Sequence, residues 1–211
     1  FEEAGWVFHS RITIWKCPVT ERERTNNNGL LHKTVKRDTS QVRQGMADYL
    51  LVFRKPPADG DGLMSRNPVV RAKGFERYIG DAGSSNDEHP SPYCRKSASS
   101  DPSIDIWRRY AEPVWWDINQ TDVLNFKLGR SEQDEKHICP LQLGLIQRAV
   151  QIWSNPGDIV LSPFAGVGSE GVGALREGRK FVGVELKQSY FEAACKFLKS
   201  EQAKVNETRL F

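Results

Sequence analysis

The sequence predicts an α/β protein with a parallel sheet covered on both faces and a loop-rich insertion. Three observations carry this expectation. Residues 158–161 and 180–186 (KFVGVEL) are short, continuously apolar runs of strand length, and a helical segment follows each of them. Residues 56–136 are poor in core-forming side chains and read as the insertion. The length, 211 residues, suits one globular domain or one domain with a small appendage.

In chain order, residues 1–55 hold two strand-like runs, 6–15 (WVFHSRITIW) and 48–53 (DYLLVF), rich in β-branched and aromatic side chains. Between them the polar segment 21–43 carries Arg22, Arg24, Lys33, Lys36, Arg37 and Arg43 against Glu21, Glu23 and Asp38. Six bases against three acids match the net charge of the whole chain, +3. Two readings stand, a solvated loop and a loop that contacts phosphates. From Ile79 to Asp105 the large apolar residues are only Ile79, Tyr93 and Ile104, among seven serines and three prolines. Such a stretch buries little. Trp107, Trp115 and Trp116 then form an aromatic knot, read as a satellite core with base stacking by one ring as the alternative. Arg108 and Arg109 beside it read as a target-reading region or as a salt-bridged surface.

Residues 137–211 are the most regular. Pro140 is expected to open a helix, since its missing N–H costs nothing there. Leu141, Leu145, Ile146, Ala149, Val150 and Trp153 make one apolar stripe at helical spacing, and Asn155-Pro156-Gly157 stops it. A strand at 158–161, a glycine-rich turn, a helix at 169–177 ended by Gly178, the strand at 180–186 and a helix around 189–199 complete the order.

Composition excludes several classes. No apolar run approaches the ~18 residues of a membrane span. The opening FEEAGWVFHS lacks the basic start of a secretory signal. Cys17, Cys94, Cys139 and Cys195 form neither a CxxC pair nor a cluster, so no disulfide scaffold or cysteine metal site is expected and a reducing cytosol is the natural setting.

The turn after the first strand of the regular region carries the chemistry. It reads SPFAGVGSEG, with Gly166, Gly168 and Gly171 as G-x-G-x-x-G between a strand and a helix. Gly166 and Gly168 permit backbone conformations and close approach that a Cβ would block. The helix starting near Ser169 offers free N–H groups and positive potential. Glu185, 19 residues after Gly166, ends the next strand and can accept hydrogen bonds from the vicinal hydroxyls of a ribose. A nucleoside-cofactor site is the reading. Only 26 residues follow Glu185, so strands upstream must complete the sheet.

These motifs resemble the amino-group DNA methyltransferases of the permuted (β) class, especially adenine-modifying enzymes of phages and prophages. SPFAGVGSEG is similar to their DPFxGxGT cofactor loop, GVELKQSYFEAA to their ribose-binding strand and helix, and KHICPLQLGLIQRAVQIWSNPGD to the preceding helix. The likeness continues through WKCPVTERERT, GLLHKTVKRDTS and RQGMADYLLVFRKP, leaving out 60–100. It implies a Rossmann-like methyltransferase sheet in circularly permuted order, with S-adenosylmethionine as cofactor and double-stranded DNA as substrate. It also implies a division of the chain. Residues 1–55 would be the second half of the sheet, with the basic loop; 56–136 would hold the target-recognition region; 137–211 would be the cofactor-binding half. Ser162, Phe164, Ala165, Gly166, Gly168 and Ser169 would line the cofactor, Glu185 would hold its ribose, and His137, Pro140 and Leu141 would lie near its methionine end. Arg22, Arg24, Lys33, Lys36, Arg37 and Arg43 would face DNA phosphates, in a restriction-modification setting.

Two departures stand out. Ser162 occupies a position that is usually Asp in the family. The catalytic D/N/S-P-P-Y/F tetrapeptide is absent from the 211 residues, and His89-Pro90-Ser91-Pro92-Tyr93 lies on the wrong side of both upstream strands to replace it. The chain, which begins at Phe1, is therefore expected to be the larger carboxyl part of such an enzyme and to be catalytically silent alone. The alternatives are a non-catalytic cofactor- or DNA-binding subunit and, from another class, a nicotinamide-dependent oxidoreductase.

Overall fold

The computed structural model describes residues 1–55, 110–125 and 141–208. Most of the expected insertion lies outside these residues, as do Trp107, Arg108, Arg109, His137 and Pro140. The described part is mixed α/β and falls into two compact units, one holding residues 1–55 and 111–118, the other residues 110, 119–125 and 141–208. Among the described residues no helix is long and apolar enough to cross a membrane.

The first unit is a three-stranded sheet in the order β2-β1-β3. Its strands are β1 (Val7–Ile14), β2 (Asp48–Arg54) and β3 (Val114–Trp115). β2 runs antiparallel to β1 and β3 parallel to it. Phe8 faces Phe53 across the ladder edge-to-face at 5.7 Å, and a bulge between Phe8 and Ser10 breaks the alternation there. Beyond the bulge, Ile12 and Ile14 turn inward at the two-residue period, and Ile14 pairs with Trp115. Both Ile14 and Trp115 are 1% exposed. Trp115 is thus core, not a ring available to a base. Trp116 gives its indole N–H to Glu112 at 3.1 Å.

The basic segment is not a loop. It folds into α1 (Pro18–Thr25), α2 (His32–Arg37) and two single 3-10 turns. Pro18 opens α1 at the position where an amide has no helical partner. Asn27 and Asp38 each cap a 3-10 turn by accepting the amide two residues on, from Gly29 and Ser40.

The second unit contains β4 (Ile159–Ser162), β5 (Lys180–Gly183), α3 (Leu143–Trp153), α4 (Ser169–Arg176) and α5 (Gln188–Thr208). β4 and β5 are parallel, from Ile159 opposite Lys180 to Ser162 opposite Gly183. α3 starts at Leu143, three residues later than a helix opened by Pro140, because its N-cap Gln142 is extended; the Leu143 amide, which has no helical partner, bonds the Asp122 carbonyl at 2.9 Å. Leu143, Ile146, Val150 and Val172 form the core of the unit, with Leu124, Val160, Phe197 and Leu198 against it. The turn Asn155-Pro156-Gly157 ends α3 as expected, with Gly157 at φ +85° and the Asn155 amide bonded to the Asp158 carboxylate at 2.7 Å.

Two expectations fail here. The hydrogen-bonded pairings among the described strands give two sheets, β2-β1-β3 and β4-β5, rather than the single sheet expected. Among the described residues of the second unit, the helices cover one face of β4–β5. α4 packs against both α3 and α5, so the three helices make a single layer. Ile159 and Leu161 consequently stay 65% and 64% exposed.

Close approach inside that layer depends on glycine. A Cβ at Gly173 would lie 2.5 Å from Cγ2 of buried Ile146, and one at Gly171 would lie 2.6 Å from Leu198 and Phe181. Gly173→Ala is therefore expected to destabilise the protein by up to about 2 kcal/mol. Overpacking of about 1–3 kcal/mol outweighs the ~1 kcal/mol gained in helix propensity. In an Ile146→Ala background the same change should be neutral or stabilising in urea unfolding. Equal destabilisation in both backgrounds would show that this contact is not the cause.

Candidate nucleoside-cofactor site

The turn at the carboxyl end of β4 is built by backbone geometry that only glycine adopts freely. Gly166 and Gly168 sit at φ +52° and +88°. The β4–β5 ladder runs on past the strands, through Val184 N–H to Ser162 O (2.9 Å) and Ala165 N–H to Val184 O (2.8 Å). The turn then closes with Gly168 N–H to Ala165 O at 2.8 Å, and Gly168 O accepts the first α4 bond from Val172.

Glu185 locks this arrangement. Its Oε2 accepts the Gly166 amide at 2.7 Å, and its Oε1 accepts the Lys187 amide at 2.9 Å. One carboxylate therefore ties the glycine turn to the chain beyond β5. A carboxylate has about four acceptor positions, so two remain for other donors.

The glycines differ in role. A Cβ at Gly166 would meet no atom within 4 Å, so space beside it is open to a ligand. A Cβ at Gly168 would lie 3.1 Å from the Ala194 Cβ of α5. Gly168 thus serves helix packing as well as the turn, and Gly171 serves packing alone.

Of the residues expected at the site, Ser162, Ala165, Gly166, Gly168, Ser169 and Glu185 come together here. Phe164 is in the same turn, 86% exposed, its ring free for a flat ligand. Leu141 is half-exposed and precedes α3; His137 and Pro140 lie outside the described residues. Ser162 and Ser169 are buried. Ser169 Oγ has no hydrogen-bond partner among the described residues.

Glu170 was not singled out from the sequence. Its signal was an acid in the first turn of the helix that follows the glycines. Burial pushes its carboxyl above the ordinary range, and bonds from its own amide and from Ser162 offset only part of this.

The basic residues of the first unit lie on α1, on α2 and just beyond. Lys33, Lys36 and Arg37 are exposed and share one face of α2 by their spacing. Arg43 is also exposed, its stem against Gly29; Arg22 is half-buried. Arg24 is in α1, and its side chain lies outside the described residues.

The pattern of the N6/N4 family, described as DNA methylase, matches residues 1–196. The chain belongs to the DNA methylase family. The chain is 35% identical over 99 residues to the DNA adenine methyltransferase YhdJ of Escherichia coli K12, a match covering 46% of this methylase and 34% of YhdJ. It superposes on TTHA0409 of Thermus thermophilus, crystallised with S-adenosyl-L-methionine, with a TM-score of 0.52 and 21% identity. That match covers 95% of this chain and 56% of TTHA0409. A further crystal structure of TTHA0409 gives a TM-score of 0.53 and 22% identity. The chain therefore spans between a third and just over half of these relatives, and the likeness to TTHA0409 shows the fold.

The raised carboxyl of Glu170 is expected to make the stability of the chain pH-dependent. Its proton is held to higher pH in the folded than in the unfolded chain, so its contribution is full below the ordinary carboxylate range. That contribution is lost as pH rises through the raised value. Glu170→Gln is expected to leave Tm unchanged near about pH 4 and to raise it at about pH 7, in thermal unfolding. A parent as stable as the variant at neutral pH would contradict the assignment.

Proposed function

We propose that this chain contains the cofactor-binding part of an S-adenosylmethionine-dependent DNA methyltransferase in circularly permuted order. It acts on an exocyclic amino group of a base, adenine N6 in preference to cytosine N4. The observation that carries the reading is the glycine turn braced by Glu185, which leaves a carboxylate acceptor beside open space at Gly166. Ribose hydroxyls donate to Glu185, the exposed ring of Phe164 lies against the adenine, and the first-turn amides of α4 meet polar groups of the amino-acid end. Leu141, with His137 and Pro140, belongs to the same pocket in this reading. When bound, the cofactor supplies a methyl group on a sulfonium, activated for transfer to a nucleophilic nitrogen.

The target base must leave the duplex to be reached, so the protein must also hold DNA. α2 presents Lys33, Lys36 and Arg37, exposed and without an ion pair among the described residues, and these contact phosphates together with Arg22, Arg24 and Arg43. The missing tetrapeptide supports a chain that is silent alone and keeps a non-catalytic binding subunit as the second reading.

Calorimetry with S-adenosylhomocysteine and with NAD on the same sample separates the methyltransferase from a nicotinamide enzyme. The account predicts binding of the first alone, weakened by roughly 1–3 kcal/mol in Glu185→Ala, the scale of hydrogen bonds to a charged group. Methyl transfer to DNA by the isolated chain is expected to be undetectable; measurable transfer overturns the silence. Binding of NAD alone overturns the methyltransferase.

For DNA, alanine at Lys33, Lys36 and Arg37 should weaken binding to all duplex sequences alike. The slope of log affinity against log salt should flatten by about 0.9 per lost contact. An unchanged slope would make α2 a solvated surface only.

A further inference from the structure

We propose that β2 is a self-complementary edge, and that it pairs antiparallel with β2 of a second copy of this chain to make one continuous sheet. The first sheet has the order β2-β1-β3, so the outer edge of β2 has no strand against it among the described residues. That edge is seven residues long, Asp48–Arg54, and mostly apolar. Unpaired backbone N–H and C=O groups along such a strand are a template for another strand. Its side chains are open as well, with Tyr49 59% and Leu51 52% exposed. The inference is independent of the cofactor reading, because β2 belongs to the other compact unit.

The sequence of the strand says what occupies it. Read from either end towards Leu51, DYLLVFR presents a charge, an aromatic ring and an aliphatic side chain, with an acid at one end and a base at the other. Antiparallel pairing centred on Leu51 sets Asp48 opposite Arg54, Tyr49 opposite Phe53, Leu50 opposite Val52, and Leu51 opposite itself. Parallel pairing in register would set acid against acid and base against base. Strand alternation puts Tyr49, Leu51 and Phe53 on one face and Asp48, Leu50, Val52 and Arg54 on the other, so both members of every pair share a face. The charges are available. Arg54 has no ion-pair partner among the described residues. Half-exposed Asp48 spends Oδ2 on the buried Lys16 at 2.5 Å, which leaves Oδ1 for a further donor. Such a contact is isologous and consumes both edges, so it closes on itself. The far edge of the sheet does not propagate it, because β3 has only two residues and a bulge between Phe8 and Ser10 interrupts β1. The product is a dimer, not a fibre.

The test uses the residue on the two-fold axis. Sedimentation equilibrium of the 211-residue chain should show a reversible dimer with micromolar affinity, the range of small interfaces. Leu51→Lys and Leu51→Glu each set like charges face to face across the axis, and each should weaken self-association about tenfold or more. Leu51 is on the exposed side of the strand, so both variants should keep the circular dichroism spectrum of the parent. An equimolar mixture of the two should dimerise at least about tenfold more tightly than either variant alone. At the far end of the same pairing, Arg54→Asp sets two acids opposite each other and should also weaken the dimer, whereas Arg54→Lys should not. A parent that stays monomeric at about 100 μM overturns the self-pairing and leaves the edge to a strand of another protein. A mixture no tighter than its components, or an Arg54→Asp variant that dimerises like the parent, overturns the register. Open-ended oligomers in place of a dimer overturn the closure.

Discussion

The site depends on one carboxylate. Glu185 accepts the Gly166 amide with one oxygen and the Lys187 amide with the other, which fixes a left-handed glycine turn against the end of β5. The ladder bond from Ala165 to Val184 adds a second tie one residue away. What the brace positions is the start of α4, whose seat is set by the absence of side chains. Gly168 admits Ala194, Gly171 admits Phe181 and Leu198, and Gly173 admits Ile146. Two of the three fingerprint glycines thus fit helix to sheet and helix to helix. Only Gly166 faces space that a ligand can occupy.

Around this frame the polar groups are unevenly satisfied, and the imbalance is informative. Arg176 and Glu201 form a two-point ion pair at 2.9 and 3.3 Å, and buried Arg179 bonds the Ser154 hydroxyl and carbonyl. Those groups hold α4 to α5 and the end of α3 to the start of β5. At the ligand end the pattern reverses. Ser169 has an unmet hydroxyl among the described residues, and burial works against the charge of Glu170. Stability is concentrated at one end of the α4 layer and polar capacity at the other.

Much of the second unit was legible in the sequence because its signals are local. Strand, glycine turn, helix, strand and helix follow one another over fewer than sixty residues, with Gly157 and Gly178 marking the breaks at positive φ. The single sheet was not legible, since pairing between distant strands is a tertiary choice; β1 takes β2 and β3 instead. Nor were α1 and α2, which are too short and polar to show an apolar stripe, although Pro18 marked the start of α1. Glu170 escaped because no spacing rule reveals the burial of a first-turn acid.

The central claim is that the braced turn is a nucleoside site. A crystal structure of the chain with S-adenosylhomocysteine tests it most directly. The account predicts both ribose hydroxyls within about 2.6–3.0 Å of the Glu185 oxygens, with the Gly166 amide still bonded to the same carboxylate. A nucleoside bound elsewhere, or a Glu185 side chain turned away from Gly166 in the complex, would contradict it.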